Sequence, residues 1–230
     1  DTVVALIASA DGARVTGVVT ERGHRIGARA VVVAAGTFME GRIFIGEYRA
    51  GAGRLGEPAA VGLGAWLAQA GFPVGRMKTG TPARIKASSI DLDALELQHG
   101  DTVREPFSFV NDEVSGPEVP CRITWTNERT HAIIRANIGR SPLFSGDITG
   151  KGPRYCPSIE DKVVKFPQRD RHQIFVEPEG LYTDEMYLNG LSSSLPEEVQ
   201  EEFIRTMDGF SNAFIVRPGY AVEYAYVDPV

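Results

Sequence analysis

The run Ala30-Val31-Val32-Val33-Ala34-Ala35-Gly36-Thr37-Phe38 restricts the possible folds of this chain more than any other stretch. A continuous apolar run is typical of a strand in a parallel sheet that is covered on both faces. Its abrupt Ala-Gly-Thr ending lets the backbone turn sharply and approach a ligand at the carboxyl end of the strand. The run therefore predicts a buried strand of an α/β sheet, with Gly36 and Thr37 as candidate ligand contacts. A purely structural strand is the alternative, because many buried strands end in glycine.

The flanking segments predict further elements of the same α/β unit. Residues 3–7 and 15–19 alternate as a β-hairpin. Residues 46–57 are too glycine-rich for a regular element, and they lead into a helix predicted for residues 58–70. Glycines before a helix can cradle an anion such as a pyrophosphate, although a flexible loop explains them equally well. A short strand is predicted at residues 74–77.

Two interpretations are open for the next segment, Lys78-Thr79-Gly80-Thr81-Pro82-Ala83-Arg84. Its two cations and its hydroxyls could bind a carboxylate or a phosphate. The same residues could equally form a turn held by ion pairs.

The sequence becomes more irregular from about residue 86. It predicts a strand at residues 122–126, a helix at 127–138, strands at 173–177 and 185–191, and a strand–turn–strand tail from residue 213. A capping box at residues 194–197 predicts the start of another helix. His131 and Arg135 are interpreted as structural, because a lone helical histidine is more often structural than catalytic. This order predicts an α/β domain over residues 1–85, an inserted α+β domain over 86–212 and a return to the first domain over 213–230.

Composition limits the classes of function. The net charge of -6 argues against a protein that coats nucleic acid with its whole surface. A local basic patch for nucleic acid is possible, because residues 151–171 carry six basic and three acidic side chains, although a solvated charged face explains these residues as well.

The chain has no long apolar run and no basic signal-like start, so we expect neither secretion nor a membrane-spanning segment. Its two cysteines, Cys121 and Cys156, lack metal-ligand spacing, which predicts a reducing cytoplasm and no metal site.

Pro153 and Pro157 bracket a guanidinium, a phenol and a thiol in the segment Arg154-Tyr155-Cys156. Proline fixes the backbone, so the segment predicts a short, stiff loop that presents reactive groups. The residues alone also allow a structural loop with a buried, inert cysteine.

Six separated motifs resemble, in order and nearly end to end, those of the MnmG (GidA) family of tRNA-uridine 5-carboxymethylaminomethyl modification enzymes. They lie at residues 33–38, 76–82, 126–131, 152–162, 172–180 and 216–221. The resemblance implies a two-dinucleotide-binding-domain flavoprotein fold, with a Rossmann-like FAD-binding domain interrupted by an inserted α+β domain. It also implies an FAD enzyme that builds an aminomethyl group on the wobble uridine of tRNA. Methylene-tetrahydrofolate, glycine or ammonium, and NADH would be consumed.

The same resemblance implies an MnmE-type GTPase partner and a homodimer in the full-length protein. Two alternatives are kept. One is the related FAD- and folate-dependent tRNA-uridine methyltransferase. The motif at 152–162 and the tail at 216–221 argue against it. The other is a non-catalytic module in which residues 86–212 contact tRNA or the partner.

Site residues follow from the resemblance position by position. Cys156 matches the family's cysteine and is predicted to be catalytic, with Arg154 and Lys162 as cations that would lower its pKa. Val3 matches a backbone contact to the FAD adenine, and Ala60 matches an FAD contact that is often serine, which leaves only a backbone contact. Trp125 stands where histidine is expected, so it is given no role.

The stiff loop is expected to extend over the whole segment associated with NAD in the family, which comprises Gly152, Pro153, Arg154, Tyr155, Cys156, Pro157, Ser158, Ile159, Glu160, Asp161, Lys162, Val163, Val164, Lys165 and Phe166. Within it, Arg154, Lys162 and Lys165 could meet phosphates.

Parts of the family pattern are absent from the sequence. No Gly-x-Gly-x-x-Gly stands near the beginning to seat the FAD pyrophosphate, and neither the later flavin-contacting strand nor the C-terminal helical domain is present. We therefore expect a central fragment that, in isolation, neither holds FAD tightly nor catalyses.

Overall fold

A computed structural model describes residues 1–152 and 157–229. These residues form thirteen strands and five α-helices. The strands are β1 (Val3–Ala8), β2 (Val15–Thr20), β3 (Arg25–Gly27), β4 (Met39–Ile45), β5 (Tyr48–Gly51), β6 (Val74–Thr81), β7 (Arg84–Lys86), β8 (Glu96–Gln98), β9 (Cys121–Trp125), β10 (Gln173–Pro178), β11 (Glu185–Asn189), β12 (Ile215–Arg217) and β13 (Tyr220–Val227). The helices are α1 (Leu63–Gln69), α2 (Glu128–Ala136), α3 (Pro142–Ser145), α4 (Ile159–Lys165) and α5 (Glu197–Ile204).

Three sheets organise the described residues. A three-stranded sheet has the order β1-β2-β3, a four-stranded sheet the order β5-β4-β13-β6, and a six-stranded sheet the order β12-β7-β11-β10-β9-β8. Every pair of neighbouring strands in these sheets is antiparallel. The mixed α/β class predicted from the sequence is confirmed, and the tail contributes one strand to each of the two larger sheets.

The main core lies against the six-stranded sheet. Helices α2, α4 and α5 pack together there and supply Ile134, Ile159 and Phe203, which are fully buried. Strand β10 supplies Ile174 and Val176 on the facing side. The same cluster also contains Ile85, Leu95, Phe210 and Ala213, so this core joins segments from residue 83 to residue 213.

The predicted buried strand at residues 30–38 is wrong. None of these residues lies in a helix or strand, and Val32 is 89% exposed. A strand needs a neighbour to satisfy its backbone N–H and C=O groups, and no strand in the described ranges pairs with this run. The turn at its end is real, because Gly36 has a φ of 69°, where glycine is favoured.

The interpretation of residues 46–57 as lacking regular structure is also wrong in part. Strands β4 and β5 form a tight hairpin whose turn includes Gly46, at a φ of 51°. Strand β13 pairs with the other edge of β4 from far along the chain. This long-range pairing supplies hydrogen-bond partners for the backbone of β4. The local sequence of a glycine-rich stretch cannot indicate such partners.

Helix boundaries differ from the sequence predictions for local reasons. Helix α1 is shorter than predicted, although it stops before Gly71 as expected. The predicted capping box at residues 194–197 does not form, because Pro196 is the N-cap of α5 and Ser194 binds Glu160 instead. The hairpin at residues 3–20, the helix α2 and the antiparallel pair β10–β11 are confirmed.

Candidate functional site

An apolar cavity of about 340 Å³ lies beside the first hairpin. Val3 and Leu6 line it from β1, Val33 from the exposed run, Met39 from the start of β4 and Ala60 from the loop before α1. The walls are mainly apolar side chains. A cavity of this kind accepts a flat, apolar or aromatic group better than a charged one.

A second cavity, of about 360 Å³, adjoins the first and shares Ala35 and Ala60 with it. Gly36 and Thr37 line this second cavity, together with the charged Arg54. The structure therefore brings the four predicted flavin-contacting positions, Val3, Gly36, Thr37 and Ala60, to two neighbouring cavities.

Glu40 fixes the loop that carries Ala60. Its backbone N–H donates to the Ala60 carbonyl at 2.9 Å, and its carboxylate accepts from the N–H of Gly62 at 2.7 Å and of Ala65 at 3.4 Å. Glu40 has a φ of 49°, the one positive value among non-glycine residues in the described ranges. A carboxylate of the protein itself thus already accepts from two amides at the start of α1, which leaves fewer of them for the anion cradle that the preceding glycines suggested.

Arg84 forms an ion pair within the protein, as the second interpretation of its segment predicts. Its guanidinium donates to Glu179 at 2.6 Å and to the Thr81 hydroxyl at 2.6 Å, and it stacks over the Tyr187 ring at 4.5 Å. Lys78 lies within β6 and is 2% exposed. The segment is therefore a strand and a tight connection whose guanidinium is already bound within the protein.

The predicted catalytic thiol falls outside the described residues. Pro153, Arg154, Tyr155 and Cys156 belong to that part of the chain, while Gly152 before them and Pro157 after them are exposed. The structure does describe how the chain is held on either side of these four residues.

Upstream of the thiol, one buried carboxylate binds the chain. Glu223 of β13 accepts from the N–H of Thr149 at 2.9 Å and of Gly150 at 2.7 Å, while its second oxygen binds Arg76 at 2.9 Å. Burial alone would raise the pKa of Glu223, but the hydrogen bonds from Arg76, Gly150 and Thr149 outweigh it and hold that pKa below its usual range. Glu223 is therefore ionised at neutral pH.

Downstream of the thiol, the expected loop is a helix. The Ser158 hydroxyl accepts from the Asp161 N–H at 3.2 Å, so it caps α4. The Glu160 carboxylate is fully buried and accepts from the Ser194 N–H at 2.8 Å and the Ser193 hydroxyl at 3.1 Å. The prediction of one stiff loop over residues 152–166 is thus wrong for α4, because its apolar face supplies core residues.

The predicted NAD-contacting side chains divide into two groups. Ile159, Glu160 and Val163 face the protein interior and in this arrangement cannot contact a nucleotide. Val164, Lys165 and Phe166 are exposed. Between these groups lie Asp161, which forms an ion pair with Lys165 at 2.9 Å, and Lys162, whose ammonium donates to the Gly190 carbonyl at 2.8 Å.

Two histidines, the buried His131 and the half-buried His172, lie side by side. The Thr126 hydroxyl lies 2.8 Å from His131 Nε2 and accepts from the His172 N–H at 2.8 Å, and the two imidazole rings are 5.3 Å apart. Burial lowers the pKa of both rings, and that of His172 falls to about 4 because the neighbouring His131 ring and the charges of Lys162 and Arg169 also oppose its protonation. Both rings are therefore neutral at pH 7, and these contacts support the structural interpretation of His131.

Sequence reasoning missed Glu40 and Glu223, and it predicted an NAD contact for Glu160 instead of its buried hydrogen bonds to Ser193 and Ser194. A carboxylate within a mainly apolar strand was a usable signal for Glu223, because a buried charge must be paired. For Glu40 and Glu160 the partners come from distant loops, and no spacing in the sequence indicates them.

The described residues contain neither a cluster of metal ligands nor a membrane-spanning helix. No group of three or more His, Cys, Asp or Glu side chains there is arranged to hold a metal ion. No helix in the described ranges is long and apolar enough to cross a bilayer.

The fold and the paired cavities define a mixed α/β protein with an apolar, ligand-sized cavity beside its first hairpin. The family model described as "Glucose inhibited division protein A" (GIDA) matches residues 1–230. The chain therefore belongs to the GidA family, as its motifs predicted.

Named relatives agree with this assignment. The chain is 55% identical over 230 residues to the tRNA uridine 5-carboxymethylaminomethyl modification enzyme MnmG of Borrelia garinii, covering all of this chain and 37% of that protein. It is 60% identical over 213 residues to the Treponema pallidum protein of the same name, covering 93% of this chain and 34% of that one. The form I crystal structure of Aquifex aeolicus GidA superposes with a TM-score of 0.89 at 49% identity, over 99% of this chain and 39% of that chain. The chain thus spans little more than a third of the length of the relatives it matches.

Proposed function

We propose that this chain is part of an FAD-dependent enzyme that adds the (carboxymethyl)aminomethyl group to the wobble uridine of tRNA. The observation that carries the proposal is the convergence of Val3, Gly36, Thr37 and Ala60 on two adjoining cavities in a member of the GidA family. The names of the relatives, as tRNA uridine 5-carboxymethylaminomethyl modification enzymes, supply the reaction.

The residues around the first cavity fit one end of a flavin dinucleotide. A volume of about 340 Å³ with apolar walls suits a single ring system such as adenine rather than the whole molecule. Val3 and Ala60 have no polar side-chain atom, so any hydrogen bond to the ring comes from their backbone. Gly36 and Thr37 line the adjoining cavity, where the dinucleotide would continue. Bound flavin would supply the redox chemistry.

The thiol-bearing segment would supply the second half of the site. In the proposal the flavin would take its electrons from NADH, the segment from Gly152 to Phe166 would contact NAD, and the exposed Lys165 would meet a phosphate. Cys156 adds to the uracil ring or transfers a proton, and Arg154 and Lys162 favour its thiolate. Methylene-tetrahydrofolate supplies the carbon, and glycine or ammonium the nitrogen.

The remaining parts of the proposal concern partners and organisation. An MnmE-type GTPase assists the reaction, the full-length protein is a homodimer, and the compartment is the cytoplasm. Residues 1–85 and 213–230 belong to the FAD-binding domain, with residues 86–212 as the inserted domain that faces NAD or tRNA.

Flavin retention tests the assignment of the cavities. We expect the 230-residue chain to elute from gel filtration without flavin absorbance after incubation with FAD, because only part of a dinucleotide fits the cavities it contains. Flavin that stays with the chain would overturn this expectation.

The reaction is tested in the full-length enzyme that carries this chain. There, Cys156→Ser should abolish wobble-uridine modification and leave the flavin spectrum unchanged, whereas the matched Cys121→Ser should retain modification. Normal modification in the Cys156→Ser enzyme would remove the thiol from the mechanism.

A further inference from the structure

The two adjoining cavities differ in charge. The residues that line the second cavity are mostly small or apolar, but Arg54 and Glu57 are among them and carry charges. In the described part of the chain, no charged residue lines the first cavity. Ala35 and Ala60 belong to the walls of both. An apolar cavity that accepts a ring system therefore lies directly beside one that contains a guanidinium.

The ring of Phe38 supports the Arg54 side chain. The guanidinium carbon lies 5.6 Å from the centroid of that ring, within the distance over which a ring face attracts a cation. Phe38 in turn packs edge-to-face against Tyr224 of β13, with the two ring centroids 5.7 Å apart. A Cβ added at Gly53 would lie 2.9 Å from the Phe38 Cβ, so the loop approaches the ring this closely only because residue 53 has no side chain.

The turn that carries both charged residues is attached to the four-stranded sheet. The Glu57 N–H donates to the Arg54 carbonyl at 3.0 Å and closes the turn. The Leu55 N–H donates to the hydroxyl of Tyr220, the first residue of β13, at 3.3 Å. The Leu55 side chain packs against the core cluster that contains Ile43. The position of Arg54 beside the cavity is therefore determined by contacts with the rest of the fold.

The ion pair between Arg54 and Glu57 is long and exposed. Both Glu57 oxygens lie 3.4 Å from a single nitrogen, Nη1, and the two side chains are 62% and 55% exposed. An exposed pair of this kind contributes no more than about 1 kcal/mol. A guanidinium has five N–H donors in a planar fork, and those on Nε and Nη2 have no acceptor among the described residues. An incoming anion can therefore replace the carboxylate at little cost.

The combined shape and charge of the cavities fit one class of ligand. A nucleotide has a flat ring system at one end and a phosphate group beyond it. An apolar cavity suits the ring, and the planar fork of an arginine suits the oxygens of a phosphate, which it can bind in a bidentate manner.

We propose that Arg54 is the phosphate-binding residue of the second cavity, and that Glu57 is an internal anion which the phosphate of a nucleotide displaces. The identity of that nucleotide as FAD rests on the proposed function. The phosphate contact itself, and the competition with Glu57, do not.

Two variants should change phosphate binding in opposite directions. Arg54→Gln removes the cation, whereas Glu57→Gln removes the carboxylate that competes for it and repels a phosphate. Both side chains are exposed, so neither change should unfold the chain. Glu201→Gln is the matched control for the second variant, because Glu201 also forms an exposed ion pair with an arginine, on α5. Arg14→Gln, an exposed arginine that lines neither cavity, is the control for the first.

The measurement is the dissociation constant of the 230-residue chain for ADP and for adenosine, from NMR titrations at low ionic strength. The two ligands share a base, and only ADP carries phosphate. We expect the wild type to bind ADP roughly tenfold more tightly than adenosine, because the phosphate gains charge-assisted hydrogen bonds from Arg54. Arg54→Gln should abolish this preference and Glu57→Gln should increase it roughly threefold. Adenosine binding and both controls should stay unchanged.

An ADP preference that persists in Arg54→Gln, or that falls in Glu57→Gln, would overturn the proposal. A fall in both variants would indicate a distorted turn rather than competition between anions, and it would count against the proposal equally. Absence of ADP binding to the wild type at millimolar concentration would also overturn it.

Failure of the proposed function gives a different result. In the full-length enzyme that carries this chain, Arg54→Gln should weaken FAD binding roughly tenfold, measured by titration of the apoenzyme with FAD. If FAD affinity is unchanged there while the 230-residue variant loses its ADP preference, the assignment of the cavities to flavin is wrong and the phosphate site stands.

Discussion

Two regions of the molecule reverse the usual relation between residue type and burial. The run at residues 30–38 is almost entirely apolar, yet it lies outside any sheet and Val32 and Val33 are exposed. On the face of the four-stranded sheet, charged Glu223 and Lys78 are almost fully buried. The difference lies in partners, since Glu223 meets five donors from two separate elements.

This contrast shows that burial here depends on which segments come together and not on local hydrophobicity. An apolar strand without a neighbouring strand has unsatisfied backbone groups, whereas a carboxylate with a complete set of donors is stable inside the protein. The contrast can be tested by mutations in both regions.

Loss of the Glu223 carboxylate should have the largest effect. Glu223→Ala leaves the Arg76 guanidinium and two backbone amides without their acceptor, and we expect a loss of about 3 kcal/mol in the free energy of unfolding. Urea denaturation measures it. The pKa of Glu223 is lowered in the folded state, so its contribution is present above the unfolded value and lost as pH falls through the folded one. A Glu223→Ala protein as stable as the wild type would show that the buried charge is not compensated by its donors.

The half-buried His172 should make stability fall on mild acidification. The pKa of His172 is lowered from 6.5 to about 4, so below pH 6.5 the unfolded chain binds a proton that the folded chain does not. Stability should be complete above pH 6.5 and fall as pH drops toward 4. We expect a total loss of roughly 2 kcal/mol, after allowing for the part of the ring that water reaches.

Urea melts at pH 7.0 and 5.5 test this expectation before most carboxylates titrate. His172→Gln should reduce the difference between the two pH values, whereas His24→Gln, at an exposed turn, should not. An equal pH dependence in wild type and His172→Gln would place the acid sensitivity elsewhere.

The cap of α1 should show a smaller effect. Glu40→Ala removes the acceptor for the Gly62 and Ala65 amides and should cost about 1 kcal/mol. Glu40→Gly removes the same cap but relieves the positive φ, so it should be more stable than Glu40→Ala by about 1 kcal/mol. Thermal melts of the three proteins measure both differences. If the alanine and glycine variants have equal stability, the backbone at residue 40 carries no strain.

Elements with local signals could be predicted, and those made by distant pairing could not. The β1–β2 hairpin and the β10–β11 pair show alternation with a nearby turn, and α2 has Asn127 as its N-cap. By contrast, the pairing of β4 with β13 joins residues about 180 positions apart, and no local pattern encodes it. The residues of the candidate site also divide into those that the sequence could indicate and those whose roles depend on distant partners.

Val3 and Ala60 were predicted from the resemblance to the family, and Gly36 and Thr37 from the end of the predicted strand; the structure gathers all four around two cavities. The buried roles of Glu160 and Glu223 depend on donors supplied by Ser194 and Gly150, which the sequence does not place beside them. Helix α4 was missed because two prolines in the same motif indicated a loop.

The smallest effect is expected in the exposed apolar run. Val32→Ser removes a side chain that is 89% exposed, so the free energy of unfolding should change by no more than about 0.5 kcal/mol. Val176→Ser in β10, where the side chain is fully buried, is the matched control and should cost at least about 2 kcal/mol. Urea denaturation of both variants gives the comparison directly. A loss above about 1 kcal/mol for Val32→Ser would mean that the run packs within the fold, and the contrast between the two regions would then be one of degree.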